Sequence, residues 1–261
     1  MKKIIKHVKI EWHKYLFDTV VVIVGILIAF SFNNWNEQRN KQRLIKSYAL
    51  SLILDLQNDI YEVNIIQNQI KEYIIRIDSL ASYTRDKQIN ELSNLTLFPL
   101  AMGDNMYRPY SWNKTTIEDL KISGVLRNKG NEELSKKIVE YEAFTYHLVE
   151  DYYVDLDIKE SVSELAGNIV NLNYSNFEEL SFYGNTNSHI LTYNFSSSEA
   201  YQRAEQDNLK LLTNDMAKVH ELVNGYLKLR IFLKIRINSE LPRLIKDAEE
   251  IINLLQTNYI D

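Results

Sequence analysis

The fold is decided by residues 15–37, YLFDTVVVIVGILIAFSFNNWNE. The segment from Tyr15 to Phe32 carries one charge, Asp18, and the run from Thr19 to Phe32 carries none. An α-helix rises about 1.5 Å per residue, and the hydrocarbon core of a bilayer is about 30 Å thick. The 18 residues from Tyr15 to Phe32 are therefore just long enough to cross it. We expect residues 15–36 to form a transmembrane helix.

Aromatic residues flank this apolar run on both sides. Trp12 and Tyr15 stand at its start and Trp35 at its end, as expected of side chains at the two membrane–water interfaces. Two other interpretations stay open. The basic start and the small residues Ala29 and Ser31 also fit a cleaved signal peptide, although the helical pattern continues past Ser31 without a break. A buried core helix would be equally apolar.

Two small residues lie four positions apart inside the run, Gly25 and Ala29. This spacing lets two membrane helices approach closely, so both residues are candidates for a helix–helix contact. The expected partners are accordingly the lipid bilayer and either a second copy of the chain or another membrane protein.

Composition indicates an almost entirely helical chain. Its 261 residues include only 7 glycines and 3 prolines, and apolar residues recur at spacings of three and four. There is no cysteine, which excludes disulfides and thiolate metal sites.

Charge is divided unevenly along the chain. Residues 1–47 carry nine Lys or Arg against three acidic residues, a net charge of +6, and the whole chain carries −5, so residues 48–261 carry −11. Binding to the phosphate backbone of a nucleic acid needs a basic surface, and this domain is acidic, so we expect no nucleic-acid partner.

The segment 1–14 is basic and amphipathic, with Ile5, Val8 and Trp12 on one helical face. It could lie on an anionic leaflet or serve as the positive flank that orients the span. Basic residues also follow the span, so the positive-inside rule discriminates poorly. We expect a single pass through the inner (cytoplasmic) membrane, with the N-terminus in the cytoplasm and the large domain outside it.

A seven-residue repeat follows the apolar run. Apolar residues occupy two positions of each repeat, with Asp59 the one polar exception: Ala49, Leu56, Val63, Ile70 and Ile77, then Ile45, Leu52, Ile66, Tyr73 and Leu80. Ile53, Ile60 and Ile74 widen the stripe, which favours a bundle over a free two-stranded coil. We expect a helix over about 37–83.

The rest of residues 37–261 is predicted to complete a soluble helical-bundle domain. Residues 84–130 contain Pro99, Gly103 and Pro109 and should form an irregular, partly aromatic cap at the far end of the first helix. Within it, Thr115 or Thr116 can cap a short helix that Gly124 ends. The fold class predicted is all-α: one transmembrane helix that continues into an elongated bundle of three or four long antiparallel helices.

Two further long helices are expected over about 131–171 and 199–258. Ser196 and Glu199 fit a capping box at the start of the last one, and Pro242 should kink it. Residues 227–237, LKLRIFLKIRI, alternate as a strand would, yet helical spacing continues on both sides. Helix is the prediction, with strand the alternative.

The sequence contains no Walker loop and no Gly-rich dinucleotide fingerprint, and nothing in it marks a Ser-His-Asp triad. His220–Glu221–Leu222–Val223–Asn224 lacks the second histidine of a zinc protease, and His147 with Glu150 lacks the ligands of a two-metal bundle site. We expect no metal and no cofactor.

One helix carries an acidic patch and another a basic patch. The acidic residues are Glu150, Asp151, Asp155 and Asp157; the basic ones are Lys228, Arg230, Lys234 and Arg236. The acidic patch could bind a cation or a basic partner, but a solvated helix face is the expectation. If the chain reverses across residues 172–198, the two patches are about 23 Å apart, so pairing within one subunit is not expected.

The run GILIAFSFNNWNEQRN resembles the signature of a family of uncharacterised single-pass membrane proteins from Bacteroidota, in which G-I-L-I-A is followed by N-N-W-N-E. The matching residues are Gly25, Ile26, Leu27, Ile28, Ala29, Asn33, Asn34, Trp35, Asn36 and Glu37. A middle segment is also similar, at Thr116, Asp119, Leu120, Ser123, Gly124 and Leu126. Phe30–Ser31 stands where the family commonly has Leu-Gln. The family has no established activity, so the resemblance implies an anchor and no mechanism.

The sequence therefore predicts a membrane-anchored scaffold or interaction subunit without catalytic activity. A ligand-sensing bundle like the extracellular domains of bacterial chemoreceptors is one alternative, and it predicts a polar pocket between helices. A membrane-bound hydrolase is the other, and it predicts a cleft that gathers acidic residues, His or Ser with perturbed pKa values.

Overall fold

The computed structural model describes residues 2–102, 106–124, 131–180 and 197–260, with the backbone alone for residues 2–15. No strand occurs among these residues, and the fold is all-α as predicted. The α-helices are α1 (Lys2–Thr84), α2 (Asn94–Met102), α3 (Thr115–Ile122), α4 (Glu132–Gly167), α5 (Glu199–Asp207), α6 (Met216–Ile235) and α7 (Leu241–Tyr259). A 3₁₀ turn, Ile89–Glu91, precedes α2, and a π turn, Arg236–Glu240, joins α6 to α7.

Helix α1 is 83 residues long and has no break. No proline interrupts it, and Gly25 is its one glycine. It ends at Thr84, one residue beyond the predicted end, where the Thr84 hydroxyl donates a hydrogen bond to the carbonyl of Leu80 at 2.9 Å. The predicted repeat lies on its buried face, since Ala49, Leu56, Val63, Ile70 and Ile77 are all at most 1% exposed.

Three long helical rods form the bundle: the distal part of α1, α4, and the continuous rod α6–π turn–α7. The third rod runs antiparallel to α1, because Lys46 donates to the carbonyl of Ile260 at one end while Arg230 pairs with Asp78 near the other. It also runs antiparallel to α4, where Lys137 pairs with Glu250. The predicted elongated helical bundle is thus confirmed with three long rods, in which α1 and α4 run parallel to each other and antiparallel to the third.

The expected single helix over 199–258 is wrong at its start. Helix α5 ends at Asp207, the next residue Asn208 adopts a left-handed conformation (φ 45°), and the long helix begins only at Met216. The intervening non-helical segment lies beside the end of α4, where the N–H of Leu212 donates to the carbonyl of Ile169 at 2.9 Å. The side chain of Asp215 then caps α6 by accepting from the N–H of Ala217.

The predicted capping box also changes. Ser196 lies outside the described residues, and Ser198 caps α5 by accepting from the N–H of Tyr201 at 3.1 Å. At the other predicted helix, Asn131 precedes α4 as expected, but α4 ends at Gly167 instead of continuing to 171. Beyond it, Asn94 of α2 holds the chain by hydrogen bonds to both backbone groups of Asn171.

Residues 84–130 are more ordered than an irregular cap. Helices α2 and α3 occupy much of this region, and Gly124 has the left-handed φ of 70° that its predicted role requires. Residues 106–114 do not cover the far end of the bundle. They fold back along α1, where the N–H of Arg108 donates to Gln69 and Asn113 donates to Asp55.

The alternating segment 227–237 is helical, so the strand alternative is wrong. Its residues belong to α6 and the first part of the π turn. Pro242, just after this turn, has no N–H to donate to residue 238. The N–H of Leu241 instead reaches the carbonyl of Arg236, five residues back, so one extra residue enters the helix ahead of the proline.

Close packing between α4 and α6 occurs at Gly225. A Cβ placed there would lie 2.7 Å from Cγ2 of Val162, a buried and β-branched side chain. We predict that Gly225→Ala lowers the free energy of unfolding by about 1 kcal/mol, because overpacking outweighs the gain in helix propensity. Denaturant unfolding followed by circular dichroism measures the effect. Adding Val162→Ala should reverse it; a stabilised Gly225→Ala variant would contradict the prediction.

Candidate functional site

The first candidate site is the apolar end of α1. From Leu16 to Phe32 its large apolar side chains are 46–67% exposed, and none is buried against the bundle. Among the described residues this is the one helix long and apolar enough to span a membrane. The core helix of a soluble protein can be as apolar, but its side chains would be buried. This helix could therefore span a membrane, in agreement with the prediction.

The residues predicted to act in the membrane are placed as follows. The side chains of Trp12 and Tyr15 lie outside the described residues. Trp35 is exposed, with the guanidinium of Arg39 5.4 Å from its ring centroid. Gly25 has open space where a Cβ would project, and Ala29 is exposed one turn further along. The structure thus leaves the Gly25–Ala29 surface accessible to another helix.

The second candidate is a buried charge network in the middle of the bundle. Arg236, the first residue of the π turn, is 3% exposed. Its Nε lies 3.1 Å from Oδ2 of the fully buried Asp155, and its Nη1 lies 3.0 Å from Oδ2 of Asp151. The same Nη1 donates to Oε2 of Glu240 at 2.7 Å. The guanidinium of Arg236 therefore contacts three carboxylates, those of Asp151, Asp155 and Glu240.

This pairing corrects the sequence-based expectation. The sequence predicts a distance of about 23 Å between the acidic patch and the basic patch, yet Asp151 and Asp155 contact Arg236 directly. The expected distance assumed that the chain reverses across residues 172–198. Because residues 208–215 are not helical and the third rod starts at Met216, the register shifts by several turns. Asp155 is consequently part of the core instead of a solvated face.

Aromatic side chains of residues 106–114 close over the network. The hydroxyl of Tyr107 donates to Oδ2 of Asp155 at 2.8 Å. Tyr107 packs edge-on against Tyr152, and Tyr110 stacks on Trp112 with ring centroids 5.2 Å apart. The aromatic residues predicted to cap the far end of the first helix therefore cover the side of the bundle instead. Tyr107 and Glu240 were not identified from the sequence, since no motif marks either one.

Burial and charge act in opposite directions on these carboxyls. Burial raises the pKa of Asp155 above its ordinary value, while the Arg236 guanidinium and the Tyr107 hydroxyl partly offset the rise. Burial likewise raises the pKa of Asp151, and the positive charge of Arg236 again offsets part of the rise. The acidic groups in turn raise the pKa of Arg236, despite its own burial. Arg236 is therefore the positive charge that permits ionised carboxylates inside this bundle.

The same region groups three residues of metal-ligand type. His147, Asp151 and Glu240 offer ligand atoms that lie within 4.8 Å of one another, and Glu150 is not among them. Both carboxylates of this group are already contacted by Nη1 of Arg236. A divalent cation at this point would sit beside a guanidinium. We therefore describe the group as the exposed edge of the ion-pair network.

A second buried carboxyl lies nearer the apolar end of α1. Asp59, the polar exception in the repeat of α1, is 3% exposed and accepts a hydrogen bond from the hydroxyl of Tyr141 at 2.8 Å. Its other oxygen, Oδ1, has no donor in full hydrogen-bonding geometry among the described residues. Burial raises the pKa of Asp59 from 3.8 to about 6, with Asp55 adding to the rise and Tyr141 opposing it.

The surface grooves are shallow. His220 and Asn224, from the segment that resembles a zinc-protease motif, line an open groove of about 370 Å³ with Thr84 and Arg85. A more polar groove of about 300 Å³ lies between Asn94, Tyr174 and the segment 204–210. Neither groove reaches the Arg236 network or Asp59. The perturbed carboxyls are thus out of reach of a substrate that occupies these grooves.

Comparison with protein-family models, curated proteins and solved structures gives no match. The resemblance to single-pass proteins of Bacteroidota is therefore supported only by the motif residues themselves, in the apolar part of α1 and in the segment around α3.

Proposed function

We propose that the protein is a membrane-anchored scaffold or interaction subunit, held in the cytoplasmic membrane by a single pass of α1. Its N-terminus lies in the cytoplasm and its helical bundle on the other side. The observation that supports this most is one uninterrupted helix with two environments. Its residues 16–35 leave their apolar side chains exposed, whereas its residues 49–80 supply the bundle core.

The exposed apolar surface from Leu16 to Phe32 is too large to be stable in water without lipid or a protein partner around it. Residues of a soluble monomer expose apolar side chains singly, and contiguous patches above a few hundred Å² mark interaction surfaces. The side chains from Leu16 to Phe32 surround the helix on all sides, which suits lipid better than a single protein groove. The Trp35 ring then lies where the hydrocarbon ends and the polar residues Asn33, Asn34 and Asn36 begin.

A scaffold role follows from how the bundle is built. Beyond Phe32, α1 continues for 52 residues, a reach of about 78 Å along one rigid element. The buried charges of Arg236 and Asp155 are paired with each other and covered by the ring of Tyr107, which holds the rods in one register. Such a unit can present its surfaces at a fixed distance from the membrane.

We predict that the full-length protein stays in the membrane pellet after alkaline carbonate extraction and enters solution only with detergent. Placing lysines at Val24 and Ile28 should shift it out of the pellet, because each charge at the centre of a span costs about 2.5–3.5 kcal/mol. Lysines at exposed Val139 and Ile231 of the bundle are the matched control and should change nothing.

Release of the unaltered protein by carbonate, or a mature N-terminus beyond Ser31, would refute the anchor. Orientation can be read from a single cysteine at exposed Glu150, since the chain has no native cysteine. It should react with an impermeant maleimide in intact spheroplasts; labelling only after lysis would place the bundle in the cytoplasm.

A further inference from the structure

The side of α1 that faces away from the bundle carries apolar residues in a line. Positions opposite the buried face recur every seven residues at Leu54, Tyr61, Asn68 and Ile75, and we call these four the outer line. Leu54 is 65% exposed, Tyr61 63% and Ile75 52%. Single exposed apolar residues are ordinary, but apolar residues at three of four successive seven-residue positions form a narrow apolar line, which is one of the two lines that make a helix–helix seam.

The small residues of the membrane segment lie on the same side. Gly25 precedes Leu54 by 29 residues, which is about eight whole turns of an α-helix. Since α1 has no break between them, the Gly25–Ala29 surface and the outer line face roughly the same direction. Neither surface has a partner in the described bundle: nothing lies within 4 Å of a Cβ at Gly25.

We propose that the outer line binds a second copy of this chain. The two α1 helices lie parallel, in contact at Gly25 and Ala29 within the membrane and along the outer line beyond it. This inference rests on the proposed membrane anchoring. A partner that meets both surfaces must have a helix that leaves the same membrane and follows α1 for about 65 Å more, from Phe32 to Ile75. A second copy of this chain has the same helix. If it is inserted in the same orientation, its α1 runs parallel to the first α1.

Charges beside the outer line fit such a pair. Lys71 and Glu72 flank the line between Asn68 and Ile75, one on each side. In a parallel two-fold pair, the flank of one helix faces the opposite flank of its partner. Each Lys71 then faces the Glu72 of the other copy, so opposite charges meet twice. An antiparallel arrangement would not bring these residues together.

The small size of the seam favours a tethered partner. Three apolar side chains along the outer line cover far less than the roughly 800 Å² per partner of a stable soluble complex. Two chains confined to one bilayer meet at a high effective concentration, so a weak seam suffices. The outer line therefore suits a second copy in the same membrane better than a free soluble protein.

Disulfide crosslinking of the full-length protein in native membranes tests the pair. Asn68→Cys places a thiol at the centre of the outer line of a chain without cysteine. Mild oxidation should give a species of twice the 30.7 kDa chain mass. Glu150→Cys is the matched control and should stay monomeric. It is exposed on α4 and level with residue 68, because Tyr141 and Asp59, nine residues before each, are in contact on two parallel rods.

Substitutions then test the surface itself. In the Asn68→Cys protein, Leu54→Glu should lower the crosslinked yield at least about fivefold, because it sets like charges opposite each other. Val139→Glu, at an exposed apolar residue of α4, should leave it unchanged. Gly25→Leu should also lower it by blocking close approach, and it disturbs no contact within the chain.

Each outcome separates the pair from the anchor. Release of the protein by carbonate means that the anchoring has failed. Retention in the membrane without an Asn68→Cys dimer leaves the anchor standing and overturns the pair. Equal crosslinking at Glu150→Cys, or a crosslinked product of another mass, also overturns it, the latter in favour of a different membrane protein. An unchanged yield with Gly25→Leu removes the membrane contact from the pair.

Discussion

Replacing Arg236 by methionine is expected to lower the free energy of unfolding by about 3–5 kcal/mol. The reason is the burial of its partner: Asp155 is fully buried, and Arg236 supplies two of its contacts. Without the guanidinium, Asp155 must either stay ionised among apolar side chains or take up a proton at neutral pH. Denaturant unfolding of the detergent-solubilised protein, followed by circular dichroism, measures the loss.

The pH dependence of this variant gives a sharper test. Burial already raises the pKa of Asp155, and removing Arg236 should raise it further. A carboxyl whose pKa is higher in the folded than in the unfolded state favours folding below the unfolded value of about 3.9, and this benefit is lost as pH rises through the folded value. The Arg236→Met defect should therefore be smallest near pH 4 and grow toward neutrality.

Removing both charges should do less harm than removing one. Arg236→Met combined with Asp155→Leu and Tyr107→Phe leaves no Arg236–Asp155 ion pair to satisfy and no unpaired hydroxyl, so the triple variant should recover much of the lost stability. Arg243→Met, at a mostly exposed arginine in the same rod, serves as the control and should have little effect. A stability of Arg236→Met close to that of the unaltered protein at pH 7 would show that the network is not a structural element.

The sequence predicted the elements that depend on local pattern. Helix α1 and its buried positions follow from a repeat without proline or interior glycine, and Asn131 marks the start of α4 as expected. The short helix α3 and the left-handed Gly124 also lie where predicted, but Lys114 precedes the helix and neither Thr115 nor Thr116 caps it, so that part of the prediction is wrong. In these places one local signal determines the structure, and no distant contact changes it.

The register between rods could not be predicted, because it depends on where the chain reverses. Asn208 takes a left-handed conformation without being glycine, and Thr213 and Asp215 end the non-helical segment through their own side chains. Thr213, Asn214 and Asp215 are residue types that cap helices, but the helical spacing on both sides predicts an unbroken helix. This one break moved Arg236 opposite Asp155, and with it the whole buried network.

The path of residues 106–114 along the side of the bundle could not be predicted from the sequence either. Prolines and aromatic residues predicted an irregular loop, and such a loop can lie over the end or the side of a bundle. What decides is the long-range hydrogen bonding of Arg108 to Gln69 and of Asn113 to Asp55 on α1. Nothing in the sequence of residues 106–114 indicates that Gln69 and Asp55 are their hydrogen-bond partners.

Asp59 is the one acidic residue in the repeating core face of α1, and neutralising it is expected to stabilise the protein. Burial raises its pKa from 3.8 to about 6, so at neutral pH the bundle holds an ionised carboxylate with a single side-chain hydrogen bond, from Tyr141. An asparagine at this position could keep that hydrogen bond through its amide oxygen and would carry no charge. We expect Asp59→Asn to raise the free energy of unfolding by about 1–3 kcal/mol at pH 7.

The direction of the pH effect follows from the same shift. Because the folded pKa exceeds the unfolded one, protonation of Asp59 stabilises the fold below about pH 4, and this contribution disappears as pH rises to about 6. Asp59→Asn should therefore match the unaltered protein near pH 4 and become the more stable of the two by pH 7. Thermal and denaturant unfolding between about pH 4 and 8 would show the curves separating in that window.

Two variants make the Asp59 prediction specific. Tyr141→Phe removes the hydrogen bond to the ionised carboxylate and should destabilise at pH 7 by about 1–3 kcal/mol, the opposite sign to Asp59→Asn. Asp157→Asn, at an exposed acidic residue of α4, should leave the pH profile unchanged. If Asp59→Asn were instead the less stable protein at pH 7, the carboxylate would have to be stabilised by a partner stronger than Tyr141. The repeat of α1 would then contain a required charge at a position where the core otherwise takes leucine, isoleucine or tyrosine.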